Sequence, residues 1–357
     1  EQKKTSIFAC KTKVKNSYKM KKVLVTGISG YIGQHCAVEL LKNGYEVRGS
    51  VRSLSKSDEV TEGIKKVIDP KGNLEYCELN LMKDKGWDKA MEGCDYVLHV
   101  ASPFVTSQPK DENELIKPAV EGTQRALKAA KKAGIERMVL TSSMVAMIGG
   151  SKGHVHVDQD SWTDVNAKGV SAYLKSKTLA EKSAWDFIKN QTGDEKLELV
   201  TIHPGPVYGP TLSGNLSGES MSTYKELITG GWPRLPQAAI SMSDVRDVAK
   251  IHVQALENTS ANGKRFIVST EKAHSFQEMA QILKSGGYDK VSTKVAPNFL
   301  LKFMANFNSD LKGLLPYIGN TFNGDVNETM KTFNWKPIAL KKTVLDTAKS
   351  VEAAMQQ

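Results

Sequence analysis

The sequence is most constrained near its N-terminus, where an apolar run leads into three evenly spaced glycines. Residues 23–26 (Val-Leu-Val-Thr) have the side chains of a buried strand, and residues 34–41 have apolar positions at helical spacing. Gly27, Gly30 and Gly33 lie between them. Glycine permits a tight turn and the close approach of a phosphate, and the N–H groups at a helix N-terminus attract that anion. The stretch therefore predicts a dinucleotide-binding corner; the alternative is a strand–helix turn that binds no ligand.

The chain then continues as strand patterns separated by helix patterns. Further strands are predicted at 45–51, 73–79, 95–100, 136–141 and 197–202, and longer helices at 112–133 and 170–190. This alternation is typical of a parallel sheet with helices on both faces. We therefore predict an α/β protein with a Rossmann-type, doubly wound parallel sheet, which binds ligands beyond the carboxyl ends of its strands.

The pattern changes after residue 203. Proline and glycine are frequent in the next fifteen or so residues, and helical patterns then predominate, at 220–229, 245–258, 274–285, 298–314 and 339–355. We predict a basic, flexible arm over 1–20, a nucleotide-binding domain over 21–203 that also receives about 239–260, and a mainly helical substrate-binding domain over 204–357. The aromatic residues and the methionine within 299–307 are expected to pack in the core rather than to form a lid.

Charge and cysteine content exclude several classes of protein. The net charge of +10 comes mainly from residues 1–22, which hold eight lysines against one acid. A basic charge concentrated in a tail does not indicate a nucleic-acid-binding body. No run of about 18 apolar residues is present, so no membrane insertion is expected. The arm lacks the apolar centre of a secretory signal and the four cysteines form no CxxC pair, which favours a cytoplasmic protein with reduced thiols.

One short stretch raises the question of a metal site. His154, His156 and Asp158 would project to one side of an extended chain, as metal ligands do. They lie in a predicted loop just before Trp162, away from the strand ends. We therefore predict no metal in this protein.

The residues after the second predicted strand bear on the choice of dinucleotide. Proteins that bind NAD hold the ribose 2′-OH with a carboxylate about 20 residues past the glycines. Residues 50–53 (Ser-Val-Arg-Ser) contain no acid there, and Arg52 is followed by Lys56 one turn later. A guanidinium binds a phosphate with two parallel hydrogen bonds. The sequence thus favours NADP; the alternative is that both cations simply face solvent.

Tyr173 and Lys177 are four residues apart in one predicted helix and so share a face. A free phenol has a pKa near 10, and a neighbouring ammonium favours the phenolate and lowers that pKa. Tyr18 and Lys22 have the same spacing but precede the first strand, where no site can form. Ser143 follows the fifth strand, where its hydroxyl can hold a substrate oxygen beside the phenol. The set predicts proton exchange with a carbonyl or hydroxyl oxygen during hydride transfer.

Together, Thr26-Gly27-x-x-Gly30-x-x-Gly33, Ser143 and Tyr173-x-x-x-Lys177 resemble the pattern of the extended short-chain dehydrogenase/reductases, in the NAD-dependent epimerase/dehydratase superfamily. The chain is more narrowly similar to the branch of dihydroflavonol 4-reductases, cinnamoyl-CoA reductases and methylglyoxal (aldehyde) reductases. That similarity rests on residues 50–53, 99–104, 117–123, 244–249 and 334–337. The resemblance extends over about residues 21–352.

The resemblance implies a role for each matching residue. Tyr173 would donate the proton, Ser143 would orient the substrate oxygen, and Lys177 would tune Tyr173 and bind the nicotinamide ribose. The implied cofactor-binding residues are Gly27, Ser29, Gly30, Tyr31, Ile32, Gly33, Arg52, Lys56, Asn80, Leu81, Val100, Ala101, Ser102, Thr141, Tyr173, Lys177, Pro204, Gly205, Val207 and Ser222. The implied substrate pocket consists of Phe104, Met144, Met147 and Tyr208.

Two departures from the family pattern matter. Asn80 stands where the family commonly has an acid near the adenine, although an amide can still accept from the adenine amino group. The apolar run after Ser143 replaces a polar specificity residue of flavonoid reductases, which argues against a flavonoid substrate.

We therefore expect an oxidoreductase that uses NADPH to reduce an aldehyde or ketone to an alcohol. Its partner would be a small-molecule carbonyl compound rather than a nucleic acid, and the chain would act as a monomer or homodimer. Two alternatives stay open: an NAD(P)-dependent hydroxysteroid or sugar dehydrogenase or epimerase, and a non-catalytic NADP-binding redox sensor. A sensor can dispense with the tyrosine–lysine pair, so the presence of Tyr173 and Lys177 argues against it.

Overall fold

The computed structural model describes residues 20–102, 111–194, 196–305 and 315–356. Its strands are β1 (Lys22–Thr26), β2 (Glu46–Val51), β3 (Leu74–Glu78), β4 (Tyr96–His99), β5 (Arg137–Thr141), β6 (His154–Val157), β7 (Glu198–Pro204), β8 (Val207–Tyr208), β9 (Ala239–Ile240), β10 (Ser243–Asp244), β11 (Arg265–Val268), β12 (His274–Ser275) and β13 (Thr321–Gly324). Its α-helices are α1 (Tyr31–Lys42), α2 (Ser57–Lys65), α3 (Trp87–Met91), α4 (Asn113–Lys132), α5 (Val145–Ile148), α6 (Ala172–Lys189), α7 (Glu219–Thr229), α8 (Val245–Glu257), α9 (Phe276–Ser285), α10 (Asn298–Met304), α11 (Asn327–Phe333) and α12 (Leu340–Met355).

Seven parallel strands form the main sheet, in the order β3-β2-β1-β4-β5-β7-β11. The order reverses at β1, which pairs with β2 on one side and β4 on the other. This confirms the prediction of a Rossmann-type, doubly wound sheet. The crevice at the reversal, beyond the carboxyl end of β1, is where such sheets bind ligands.

Alternate residues of β1 pack on opposite faces of the sheet. Val23 and Val25 join one core cluster together with α1, α2 and α8, whereas Leu24 joins a second cluster with α3, α4 and α6. All three side chains are fully buried. Helices therefore cover both faces, and the strand ends at the edge of the sheet are left for binding.

The seventh strand, β11, was not predicted from the sequence. It is four residues long and pairs with β7 along its whole length, at the edge of the sheet. So short an apolar run does not distinguish a strand from a buried helical segment by its periodicity. Together with α8, it returns the chain to the main sheet after residue 204.

The remaining C-terminal elements lie beside the carboxyl edge of the sheet. Helices α7, α9 and α12 share one buried cluster, and a small four-stranded sheet has the order β12-β9-β13-β6. This small sheet was not predicted either. Residues 154–157, which were expected in a loop, form its edge strand and pair with β13.

Helix α10 differs from the expectation in its surroundings. Phe299 is 75% exposed and does not pack in the core as predicted. The predicted helix extends to 314, but 306–314, like the arm over 1–19, lies outside the described residues. None of the helices in the described ranges is both long and apolar enough to cross a membrane.

Candidate active site

The predicted glycine corner is present between β1 and α1. Gly27 has a φ of +69°, and a Cβ there would lie 2.9 Å from the Cβ of Ala101. A Cβ on Gly33 would lie 2.4 Å from the carbonyl oxygen of Gly27. Only glycine satisfies both the positive φ and this close approach of helix to strand. The two glycines let α1 begin directly against the end of β1.

The N-terminus of α1 is open to a ligand. Gly30 caps the helix without any side-chain hydrogen bond, and Ser29 and Gly30 are exposed. The first turn of α1 contains no acidic residue, so nothing on the helix neutralises the positive end of its dipole. This cradle suits a pyrophosphate.

Hydrogen bonds fix the corner to the neighbouring strands. The Gly27 N–H donates to Ser50 Oγ at 3.1 Å, which ties the corner to β2. On the other side, the Ala101 N–H donates to Thr26 Oγ1 at 3.1 Å, and Thr26 Oγ1 lies 3.0 Å from His99 Nδ1. The ends of β1, β2 and β4 therefore form one rigid edge.

The two predicted phosphate-binding cations differ in their surroundings. Arg52 is exposed after β2 and makes no ion pair within the described part of the chain. Lys56 is paired with Glu59 at 2.9 Å. Asn80 Oδ1 accepts a hydrogen bond from the Met82 N–H at 2.9 Å, which fixes the orientation of its amide and leaves a second lone pair for the predicted adenine contact. Arg52 is the better placed of the two cations for a 2′-phosphate.

Helix α6 brings Tyr173 and Lys177 to the same edge of the sheet. Ser171 caps the helix by accepting from the Leu174 N–H at 3.4 Å. Ser143 follows β5; its hydroxyl donates to the Pro204 carbonyl oxygen at 3.5 Å and lies close enough to the Tyr173 phenol to lower the pKa of that phenol. Lys177 lines a cavity together with Ala101, Ser102, Thr141 and Ser142. The three predicted catalytic residues thus lie beside the strand ends next to the glycine corner.

Burial determines the acid–base properties of these groups. It raises the pKa of the Tyr173 phenol, Glu219 raises that pKa further, and the hydrogen bond from Ser143 lowers it. Tyr173 and Lys177 share a face of α6, and the effect of the lysine on the acidity of the phenol stays a prediction. Across the cavity, burial lowers the pKa of His99 to about 3, and the charge of Lys177 lowers it further.

Lys177 itself is affected by two opposing influences. Burial lowers the pKa of its ammonium group to about 8, and the carboxylate of Glu181 acts in the opposite direction. At neutral pH the lysine therefore stays mostly charged, whereas the Tyr173 phenol stays protonated. A protonated phenol beside a buried ammonium is suited to giving a proton to an oxygen atom.

Sequence reasoning missed two residues near the phenol. Burial and Glu219 raise the pKa of Tyr208, and burial together with Tyr173 and Glu219 raises that of Tyr317. Glu219 and Tyr317 come from distant parts of the chain, and no local motif marks either of them. They come within electrostatic range of Tyr173 because the C-terminal elements fold toward the sheet edge.

Two predicted pocket residues are buried. Met144 and Met147 are 0% and 2% exposed and pack in the same cluster as β1 and α1. A Cβ on Gly205 would lie 3.3 Å from Met144 Sδ, which shows how closely that side chain packs against the end of β7. The chain turns inward after Ser143, into the short helix α5, and the contact of these two residues with a substrate stays a prediction.

Other predicted residues are placed as follows. The Thr141 hydroxyl is 2.7 Å from His252 Nε2, and Tyr208 is buried with its ring 4.9 Å from that of Tyr224. Ser222 donates to the Glu219 carbonyl oxygen at 3.0 Å, in the first turn of α7. Phe104 lies outside the described residues. The remaining predicted cofactor residues lie at element ends or in a turn: Tyr31 and Ile32 begin α1, Val100 follows β4, Pro204 ends β7, Val207 begins β8, and Leu81 lies in the turn after β3.

No metal-binding group of three or more His, Cys, Asp or Glu side chains occurs among the described residues. His156 instead lies 3.9 Å from Asp325, on the exposed edge of the small sheet.

A doubly wound parallel sheet with a glycine corner and a tyrosine–lysine helix at its carboxyl edge defines a class of dinucleotide-binding enzymes. Residues 23–269 match the model of the NAD dependent epimerase/dehydratase family, and the chain belongs to that family.

Relatives within the family are similar over most of the chain. It is 36% identical to cinnamoyl-CoA reductase CAD2 of Medicago truncatula over 268 residues, which cover 73% of this chain and 79% of that protein. It is 30% identical to NADPH-dependent methylglyoxal reductase GRE2 of Saccharomyces cerevisiae over 362 residues, which cover 92% and 97%. The crystal structure of Gre2 from Candida albicans in complex with NADPH has a TM-score of 0.75 at 29% identity, covering 94% and 99% of the two chains.

Proposed function

We propose that this protein is an NADPH-dependent reductase that converts an aldehyde or ketone into an alcohol. The observation that carries the proposal is the meeting of Tyr173, Ser143 and Lys177 beside the glycine corner. The relatives reported above, a cinnamoyl-CoA reductase and an NADPH-dependent methylglyoxal reductase, support the same class of reaction.

The residues present fit NADPH. The exposed N-terminus of α1 at Ser29 and Gly30 suits the pyrophosphate, and the guanidinium of Arg52, which makes no ion pair with the described residues, suits the 2′-phosphate. No carboxylate occupies the position after β2 that would favour NAD. When bound, the dinucleotide supplies the hydride for the reaction.

The chain's own groups handle the proton. The raised pKa keeps the Tyr173 phenol protonated, so that it can donate its proton to the substrate oxygen as negative charge develops there. The hydroxyl of Ser143 lies beside the phenol and would orient that oxygen. The ammonium of Lys177 stabilises the phenolate that remains after proton transfer.

The same geometry bears on the alternatives. Burial favours the protonated phenol, which is the form that donates a proton to a carbonyl oxygen during reduction, and the same group takes the proton back when an alcohol is oxidised. A non-catalytic sensor does not require the Ser143–Tyr173 contact. Reduction of a carbonyl is therefore the function that the site supports best.

The compartment, the partners and the domain division of the protein are proposed on less direct grounds. We propose a cytoplasmic protein because the described cysteines, Cys36, Cys77 and Cys94, are all free. We propose a small-molecule carbonyl substrate, no nucleic-acid partner, and a monomer or homodimer. We also propose the division into a nucleotide-binding domain over 21–203, with about 239–260 added, and a substrate-binding domain over 204–357.

The test is NADPH oxidation measured against a panel of aldehydes, diketones and flavanonols, repeated with NADH. Turnover with at least one aldehyde or ketone, and preference for NADPH, are the expected results. Tyr173→Phe should lower kcat by about 10²- to 10⁴-fold, the usual worth of a positioned proton donor. Tyr76→Phe, which removes a phenol hydroxyl bonded to Thr61 on the edge strand β3, is the matched control and should keep full activity. Full activity of Tyr173→Phe on a carbonyl substrate would contradict the proposal.

A further inference from the structure

A buried carboxylate lies one helical turn beyond Lys177, outside the proposed catalytic set. The side chain of Glu181 is fully buried. Its oxygens accept hydrogen bonds from Ser142 Oγ at 2.6 Å, from His203 Nε2 at 2.8 Å and from Arg265 Nε at 2.7 Å. Burying a carboxylate is costly unless it is paired and hydrogen-bonded, and here the donors come from the residue directly after β5, from β7 and from β11, with Trp185 Nε1 of α6 donating as well at 3.2 Å.

Arg265 is itself held in place. Its Nη1 donates to the carbonyl oxygens of Gln159 and Ser161, both at 2.7 Å, and its guanidinium lies 3.8 Å from the centre of the Trp162 ring. Its pairing partner Glu181 therefore has a single orientation. The carboxylate is a fixed negative charge rather than a mobile one.

Glu181 and Lys177 line the same cavity, between α4, α6 and the ends of β4 and β5. The other side chains facing the lysine carry no negative charge: His99 comes from β4, the hydroxyls of Thr141 and Ser142 from β5, and uncharged residues from α4. Tyr173 is the remaining titratable group, on the same face of α6. Within the described ranges, Lys177 makes no ion pair or hydrogen bond, so its charge depends on this field.

We propose that Glu181 is a positioning residue for Lys177: its fixed carboxylate keeps the buried ammonium charged and facing the catalytic edge. The inference rests on the proposed function, because that function gives Lys177 its task. Burial lowers the pKa of Lys177 to about 8, and Glu181 is the charged group that opposes this effect. Without the carboxylate, the lysine would lose its proton closer to neutral pH.

The experiment replaces the charge and follows the titration of the lysine. For Glu181→Gln, we expect the loss of kcat/KM with rising pH to move to lower pH by about one unit, the low end for a nearby opposite charge. In the ligand-free protein, the ammonium of Lys177 should titrate lower by a similar amount, measured by NMR on lysine labelled at the ε position. Glu181→Asp keeps the charge and should keep the titration within about 0.3 units of the wild type.

The matched control is Glu121→Gln on α4, where Glu121 has the same four-residue spacing to Lys117 on an exposed face. It should leave both the pH profile and the titration of Lys177 unchanged. Because Glu181→Gln leaves Arg265 buried and unpaired, the double variant Glu181→Gln/Arg265→Met tests the same point without an unpaired charge. In the double variant the pKa of Lys177 should again be lower than in the wild type, since Arg265 is not among the groups that shift the pKa of Lys177.

The results separate the two proposals. If the pKa of Lys177 is unchanged in Glu181→Gln and in the double variant, the inference is overturned. A loss of activity that is equal at every pH also overturns it. A lowered titration in the ligand-free protein with an unchanged pH profile overturns the catalytic task of Lys177, and hence that part of the proposed function. A lower pKa of Lys177 together with a pH profile shifted to lower pH supports the inference.

Discussion

At the scale of the residue, Arg52 and Lys56 show how the surroundings of a charge determine its use. Both are exposed cations after β2, but Lys56 is paired with Glu59 at 2.9 Å whereas Arg52 has no such partner in the described part of the chain. A guanidinium also binds a phosphate with two parallel hydrogen bonds, which an ammonium cannot do. Recognition of a 2′-phosphate therefore depends mainly on Arg52.

Replacing the guanidinium of Arg52 should weaken the binding of NADPH and leave the binding of NADH unchanged. Arg52→Gln should raise the KM for NADPH by about 10-fold or more, since a hydrogen bond to a charged group is worth about 1.5–3 kcal/mol. The KM for NADH, which lacks the phosphate, should not change. Lys56→Gln is the matched control, with a smaller effect on NADPH. Equal effects on both dinucleotides would show that Arg52 does not contact the 2′-phosphate.

At the scale of the element, the close approach of α1 to β1 depends on the absence of a single atom. A Cβ on Gly33 would lie 2.4 Å from the Gly27 carbonyl oxygen, which is backbone and cannot rotate away, whereas a Cβ on Gly30 would lie at 3.2 Å from it. Gly33→Ala should therefore lower the free energy of unfolding by about 1–3 kcal/mol, as overpacking does. It should also weaken NADPH binding, because the helix N-terminus moves.

Gly30→Ala is the matched control, with a smaller loss of stability because the contact is looser by 0.8 Å. Urea unfolding of the two variants and of the wild type measures the difference, with fluorescence titration of NADPH beside it. Equal stability of the two alanine variants would contradict the packing argument.

The elements also show which parts of the fold could be predicted. The β1–α1 corner and the Tyr173–Lys177 face were predicted because each depends on residues close in sequence. Strand β11, the burial of Met144 and the approach of Glu219 to Tyr173 were not predicted. Each of those depends on contacts between segments far apart in the chain, which periodicity and motif spacing do not encode.

At the scale of the whole molecule, the C-terminal half is built into the nucleotide-binding sheet. Helix α8 packs on α1, and β11 extends the sheet beside β7. This arrangement buries His35 on α1 and His252 on α8 where the two halves meet, and His99 is buried at the end of β4; the three are 6%, 0% and 1% exposed. Each of them is held by hydrogen bonds in its neutral form.

These histidines make the stability of the molecule depend on pH. Burial lowers the pKa of His35 and of His252 to about 4 and that of His99 to about 3, below the ordinary value of about 6.5 in an unfolded chain. Between those values the unfolded chain binds more protons than the folded protein, so stability is complete above about pH 6.5 and is lost as the pH falls. At pH 5 each histidine should cost about 2 kcal/mol relative to pH 7.5.

Urea unfolding of the ligand-free protein at pH 7.5, 6 and 5 measures this loss. In His252→Gln the amide can replace the imidazole in its bonds to Thr141 and the Val248 carbonyl oxygen, so about 2 kcal/mol of the pH-dependent loss should disappear. His154→Gln, on the exposed edge strand β6, is the matched control and should unfold with the pH dependence of the wild type. Glu181 does not contribute to the change in stability between pH 7.5 and pH 5. Because its pKa is lowered in the folded protein, the stability that it contributes is lost only below about pH 4.3. The same pH dependence in His252→Gln as in the wild type would show that His252 takes up its proton without unfolding the protein.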